Sequence, residues 1–275
     1  MRGPDILART MSVPTRRGKA EREWQYHSRS DNHSKVACWV VLFDLMRECD
    51  VFRNAVEAGR LGFGINHVMV GPINKTLDLV VTRVSSSRPS ATRVRFSDLV
   101  NRYGIQLSRE EQIELSSLPV IESEIHGADV SEVVVALEAK ACMTEHLKSL
   151  PRLHAEILAT GYLAKRAQPR CITVSYSLVN AADSFVTPSG EGRCNTHSQP
   201  DDAERVVEML GSAIPMARDK PEIGYDVIGA TVVDCKNDGT KVKIATKAPA
   251  PPRNHHLHYE RMIVNLCSEY RARFG

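Results

Sequence analysis

The sequence predicts an α/β fold, with helices packed on a sheet. Three observations carry this. Apolar, β-branched runs recur at residues 77–84 and 132–140. Strict alternation over residues 170–179 puts Ile172, Val174, Tyr176 and Leu178 on one face. Segments with helical apolar spacing stand at 31–57 and 143–165, before the first strands and between the last two.

Taken in order, residues 1–30 are polar and basic without an apolar period and are expected to form a flexible arm. Ser30-Asp31 offers an N-cap for a helix carrying Val36, Trp39, Val40, Phe43, Leu45 and Met46 to about residue 57. Its apolar face is broad enough to pack on a sheet, with Trp39 and Phe43 in the core. Glycines 59, 62 and 64 end it. Strands are expected within 65–70 and over 77–84, joined through Gly71-Pro72-Ile73-Asn74. A Ser/Pro-rich loop over 85–91 leads to a helical segment, 97–117, in which Ser108 and Glu111 have capping-box spacing. A strand at 119–125, a turn at 126–129 and the strand 132–140 follow. The helix 143–165 is expected to bend or restart at Pro151. Residues 181–200 read as a loop, 201–210 as a helix, and 226–234 with 241–246 as a hairpin around Asn237-Asp238-Gly239. A proline linker at 249–252 precedes a last helix, 258–274. Without inserts, the order is helix, three strands, helix, strand. No internal repeat is visible.

The expected organisation is therefore a basic arm (1–30), a core (31–180) with an insertion at about 86–126, and a C-terminal extension (181–275) of hairpin and helix packed on the core. At 275 residues, with 42% hydrophobic and 25% charged residues, the chain can bury a core of ordinary globular composition. Its longest apolar stretch, 36–45, is about half of what a bilayer requires. The start, Met1-Arg2-Gly3-Pro4-Asp5, lacks the hydrophobic core of a signal peptide, so the expectation is a cytoplasmic protein with no membrane partner. Seven widely spaced cysteines without a C-x-x-C pair read as reduced core residues. Cys194 and His197 would make half a zinc site without a second half. The ends carry net charges of +4 (1–35) and +5 (241–275), leaving −6 in the middle of a chain of net +3. Basic ends around an acidic middle suit a protein that grips a polyanion and holds cations centrally, and equally suit solvated tails.

The chemistry concentrates at Glu138-Ala139-Lys140, closing the run Val133-Val134-Val135-Ala136-Leu137. On a strand, residues two apart share a face, so Glu138 and Lys140 sit side by side. Asp78, inside another apolar strand, is the natural partner. Asp78 and Glu138 with the Ala139 carbonyl offer oxygen ligands for Mg²⁺, Mn²⁺ being the expected substitute. Lys140 can orient a nucleophilic water or pair with phosphate. Glu122 and Glu124 are candidates for an additional acid. The competing reading is a strand-end salt bridge worth about 1 kcal/mol at most, with Asp78 an edge-strand acid and Asp129 or Glu124 the alternative partner.

Thr144, Lys148, Arg152 and Glu156 recur every four residues, and Lys148 and Arg152 are candidate DNA contacts, although a solvated helix face gives the same pattern. His146 and His154 read as surface histidines. His27, Arg29, His33 and Lys35 bunch ahead of the first helix, as phosphate contacts or a plain basic tail. His255, His256 and His258 fit an exposed turn. No G-x-G-x-x-G, P-loop or G-x-S-x-G is present, which disfavours an ordinary metabolic α/β enzyme.

On these residues the chain resembles the PD-(D/E)xK nuclease superfamily over about residues 33–180. The resemblance implies a restriction-endonuclease-like core, a mixed central sheet flanked by helices, with insertions and a C-terminal extension. Asp78 then matches the first acid on the second core strand, and Glu138 and Lys140 match E-x-K on the third. Leu77 stands where the motif has proline, and the 60-residue separation of Asp78 and Glu138 exceeds the usual gap, so an insertion must lie between them. The implied function is a Mg²⁺-dependent endonuclease on double-stranded DNA, a restriction-modification enzyme acting as a homodimer. A repair, recombination or phage nuclease, or a non-cleaving DNA-binding protein of the same fold, are the alternatives.

Overall fold

The computed structural model describes residues 1–16, 22–70, 73–84, 94–123, 132–188, 192–219 and 224–275. Helix α1 (Gly3–Met11) stands in place of the expected flexible arm. Its first amides are satisfied from far along the chain. The buried Asp44 carboxylate accepts from the Arg2 N–H at 3.1 Å and the Gly3 N–H at 2.7 Å. Ile6 and Leu7 are fully buried. A helix of 9 residues shows little period, and its cap lies 41 residues from Gly3, so neither is legible locally. Gly3 is needed for the close approach, since a Cβ there would meet the Tyr259 hydroxyl at 2.1 Å.

Two short strands, β1 (Thr15–Arg16) and β2 (Glu23–Trp24), pair next. The single helix expected over 31–57 divides at Cys49, in extended conformation, into α2 (Asn32–Glu48) and α3 (Asp50–Glu57). β3 (Leu61–Met69) and β4 (Lys75–Arg83) follow as an antiparallel pair. The segment expected to be one helix over 97–117 breaks at Gly104 (φ +64°) into α4 (Asp98–Tyr103) and α5 (Arg109–Ser117), and both halves of the Ser108/Glu111 capping box form. Instead of a strand at 119–125, Glu122 and Ser123 make isolated bridges to Arg95 and Phe63.

β5 (Glu132–Cys142) leads to α6 (His146–Ala167), which runs continuously through Pro151; little more than one turn precedes the proline, so few bonds are lost. β6 (Ile172–Asn180) comes next. The loop expected over 181–200 contains a small hairpin, β7 (Ser184–Val186) and β8 (Cys194–Thr196). Helix α7 (Asp201–Asp219) is followed by β9 (Val227–Asp234), β10 (Lys243–Ile244) and α8 (Tyr259–Phe274).

The central sheet has the order β10-β9-β6-β5-β4-β3. β3, β4 and β5 are mutually antiparallel, β5, β6 and β9 are parallel, and β10 closes the far edge antiparallel to β9. The fold is thus mixed α/β, with a six-stranded mixed sheet between helical layers. α1, α2 and α8 cover one face through Trp39, Phe43, Met262 and Leu266. α6 and α7 cover the other through Ile157, Ala164, Val206 and Leu210. Trp39 stacks on Phe43 and Phe96, so it belongs to the core as expected. Residues 181–275 are not appended to a finished core. They supply two strands of the sheet and one helix to each face, because β6 needs a neighbour to satisfy its second edge.

Reading all cysteines as reduced fails for Cys49 and Cys267, which form a disulfide across a separation of 218 residues, tying the α2–α3 break to α8. Linear spacing carries no signal for so distant a pair. The other five are free, four of them buried.

Candidate active site

The site forms where two strands part. β4 and β5 pair from Arg83↔Glu132 to Leu79↔Leu137. One further step in that register brings Asp78 opposite Glu138, but there the Ala139 N–H turns to the Asp78 side chain and donates to Oδ2 at 3.0 Å. A strand residue's N–H and C=O point to the same edge, so the Ala139 carbonyl also points to the β4 edge of β5. On the other side β6 stays paired with β5 to its end, setting Ser175 beside Glu138 and Ser177 beside Lys140. The strand pair is held on one edge and opened on the other.

Glu138 is buried, 5% exposed. Its Oε1 accepts from Lys140 Nζ at 2.8 Å and from Lys75 Nζ at 3.2 Å. Its Oε2 is buried with no hydrogen-bond partner among the described residues. Lys140 also reaches Glu156 Oε2 on α6 at 3.1 Å. The Asp78 Oδ1 accepts from the Ser34 hydroxyl at 2.9 Å and from Lys35 Nζ at 2.7 Å, both in the first turn of α2. Lys35, only 2% exposed, donates as well to the Asn66 side chain. Asn66 lies opposite Asp78 in the β3–β4 register, between the pairs Ile65↔Leu79 and His67↔Leu77, and takes a left-handed φ of +52° that asparagine tolerates better than most residues.

These contacts fix the protonation of the site. Burial alone raises the Asp78 pKa, but the Lys35 charge and hydrogen bond, the Ala139 N–H and the Ser34 hydroxyl outweigh it and hold the carboxyl below its ordinary value. Burial pulls Lys140 down, yet Glu138 and Glu156 more than reverse this and place it above the ordinary lysine value. Asp78 is a carboxylate and Lys140 an ammonium at neutral pH.

The structure therefore sets Asp78 against the Ala139 N–H and Lys140 against Glu138. Asp78 is held from α2, while the Glu138–Lys140 pair reaches Glu156 on α6. Glu122 does not join them. It lies beyond the outer edge of β3, where Ser123 bridges Phe63, with β3 and β4 between it and Glu138. Glu124 and Asp129 fall outside the described residues. Lys148 and Arg152 are exposed on α6, their side chains 80% and 76% accessible, with Arg152 3.9 Å from Glu156, the residue that Lys140 touches. His146 is buried rather than on the surface, its Nε2 donating to the Asn180 carbonyl at 2.7 Å, because it opens α6 against the end of β6. Half a zinc site at Cys194 and His197 does not form. Cys194 is exposed, and both His197 nitrogens are engaged, with the Ala182 carbonyl at 2.8 Å and the Thr144 hydroxyl at 3.2 Å.

Sequence reasoning missed two participants, Lys75 and Asn66. Lys35, read as a phosphate contact or part of a basic tail, is buried against Asp78. Its signal is a lysine directly before the unbroken apolar run Val36 to Val41, where a solvated side chain has no room. Lys75 and Asn66 gave no signal, since their roles depend on cross-strand register. Among the described residues no group of three or more His, Cys, Asp and Glu side chains is arranged to hold a metal ion, so a cation here would rest on Asp78, Glu138 and backbone oxygen. Comparison of the chain with family models, with curated proteins and with solved structures finds no significant match to any of them.

Proposed function

We propose that this chain is a Mg²⁺-dependent endonuclease that hydrolyses phosphodiester bonds in double-stranded DNA, with a restriction-endonuclease-like core. The observation that carries the reading is the contact of Asp78 with the Ala139 peptide, beside the Glu138–Lys140 pair, where β4 leaves β5. The element order α2, β3, β4, β5, α6, β6, with α4 and α5 as the insertion, supports the resemblance to PD-(D/E)xK nucleases.

The residues fit a hard divalent cation. Asp78 and Glu138 are oxygen donors, the Ala139 carbonyl points to the β4 edge of β5, and the buried Glu138 Oε2 has an unfilled acceptor. When bound there, Mg²⁺ would neutralise charge on the phosphoryl oxygens and lower the pKa of a coordinated water. The chain's own residues do the rest. Ser34, Lys35 and the Ala139 N–H fix the Asp78 carboxylate in place. Lys140, kept protonated, presents an N–H to a phosphate oxygen or to the attacking water. Lys148 and Arg152 extend positive charge along α6 toward a DNA backbone. Cutting both strands of a duplex calls for a homodimer, and the role that this chemistry suits is restriction of foreign DNA.

Incubation of the protein with supercoiled plasmid and Mg²⁺ or Mn²⁺ tests the proposal. Wild type should nick and linearise the plasmid. Glu138→Ala and Lys140→Ala should each lose about 10²-fold or more while keeping cooperative melting. Absence of cleavage by wild type with either ion, on plasmid and on modified genomic DNA, sinks the proposal. Run-off sequencing of the products then separates restriction-type cutting at fixed sites from unspecific processing.

A further inference from the structure

Resting on the nuclease reading, we infer that the site takes one divalent cation and that Lys35 fills the place of a second. Around the Lys35 ammonium lie three oxygen-bearing side chains: Asp78 Oδ1 at 2.7 Å, Asp31 Oδ2 at 3.8 Å and the Asn66 amide oxygen. Two carboxylates and an amide carbonyl are the hard-donor set that a divalent ion uses. Here the cage is filled by the chain itself, from a residue only 2% exposed.

The acceptor capacity left in the site agrees. A carboxylate oxygen offers two lone-pair positions. At Asp78 Oδ1 one is taken by Lys35, and the other faces the Ser34 hydroxyl, whose single proton is shared with the Asp31 carbonyl at 2.8 Å. At Glu138 Oε1 both are taken, by Lys140 and Lys75. Asp78 Oδ2 has given one to the Ala139 N–H. What remains is one position on Asp78 Oδ2, the unpartnered and buried Glu138 Oε2, and the Ala139 carbonyl. The Ala139 N–H bond ties the first of these to the Ala139 peptide, and Glu138 is the residue before it on β5. A second ion bridging Asp78 from the α2 side would have to expel a buried ammonium whose other partners hold it there. Lys35 is thus a positioning residue that also sets the metal count.

Mn²⁺ binding measures this without relying on turnover. Calorimetric titration of the intact protein with MnCl₂, with free Mn²⁺ counted by electron paramagnetic resonance, is run with and without a short blunt duplex. Wild type should bind one ion per chain, and Asp78→Asn should weaken it at least tenfold. Asp31→Asn should leave the stoichiometry at one and the affinity within about twofold, because Asp31 serves Lys35 rather than the ion. Lys35→Ala should raise the count to two, and Lys35→Ala with Asp31→Asn should return it to one. Should Lys35→Ala not fold, the wild-type count and the Asp31→Asn titration decide alone. Two ions per wild-type chain, both sensitive to Asp78→Asn, overturn this inference and leave the nuclease standing. No Mn²⁺ bound by wild type, with or without duplex, overturns both.

Discussion

The parallel strands β5, β6 and β9 carry two ionic nodes, one at the start of β9 and one midway along β5, and the two are finished differently. At the start of β9, Asp226 Oδ1 accepts from Arg273 at 2.9 Å and Lys165 at 3.1 Å, and Oδ2 from the Thr173 N–H at 2.8 Å and hydroxyl at 3.0 Å. Every acceptor position is used, and an arginine fork supplies part of the set. Midway along β5, Glu138 is held through Oε1 by two lysines while Oε2 is left without a partner among the described residues. A guanidinium fork fits a carboxylate in one geometry, whereas an ammonium on a flexible stem can swing away. Asp226 ties β6, β9, α6 and α8 together. Glu138 is kept buried and incompletely satisfied, a cost that stability alone does not explain. The difference sets a fully bonded rivet against a node left open, which is where the proposed site lies.

The largest expected effects come from exchanging the two. Glu138→Gln should lower plasmid nicking about 10²-fold or more with melting little changed, because the amide oxygen can still accept from Lys140 and Lys75 while the amide nitrogen takes the place of the unpartnered Oε2. Asp226→Asn should leave nicking within about twofold. It should also destabilise the fold by about 2 kcal/mol, since the amide cannot accept from all five donors, the second Arg273 nitrogen at 3.3 Å included. For a chain of this size that lowers the melting temperature by roughly 5 °C. The contrast fails if Asp226→Asn abolishes nicking at an unchanged melting temperature, or if Glu138→Gln melts early and keeps its activity.

Acid sharpens the comparison next. Burial pushes the Asp226 carboxyl up, but Arg273, the Thr173 N–H and Lys165 together hold it below its ordinary value. A pKa depressed in the folded state adds stability above the unfolded value, near 3.9, and that stability is lost as pH falls through the folded value. Urea unfolding should therefore show wild type and Asp226→Asn separated by a constant gap from pH 5 to 7 and converging below about pH 4. A gap that persists unchanged to pH 2.5 would mean that packing, not charge, accounts for the loss at this node.

What the sequence discloses follows the range of each interaction. The alternation of Ile172, Val174, Tyr176 and Leu178 is a local property, and β6 appears where it requires. Glu138 and Lys140 share a face for the same reason. Asp78 was reachable because a carboxylate inside an apolar strand stands out. Lys35 was harder, since a lysine at the start of a helix is ordinarily solvated, and only the buried run behind it argues otherwise. Asp44 capping α1, Cys49 bonded to Cys267 and Asn66 set opposite Asp78 depend on contacts between segments that carry no mark of each other. The role of residues 181–275 was misjudged for a related cause. A parallel partner such as β9 reaches the sheet only after a crossover, and nothing in its own residues names β6 as its neighbour.

The smallest expected effects lie outside the site on α6, where they test whether the unfinished node faces DNA. Lys148 and Arg152 are exposed, but each leans on an acid: Glu145 at 2.9 Å and Glu156 at 3.9 Å. Part of their charge is already spent locally, so each alanine substitution should weaken duplex binding only two- to threefold, about half a kcal/mol. Each should also reduce the slope of log affinity against log salt by about one. Glu156→Gln should act in the opposite direction, because Glu156 binds Lys140 on one side and Arg152 on the other, and its removal frees both for phosphate. A salt slope unmoved by all three substitutions would mean that duplex meets the β4–β5 gap from a side other than α6, and the positive charge on this helix would then belong to its own acids.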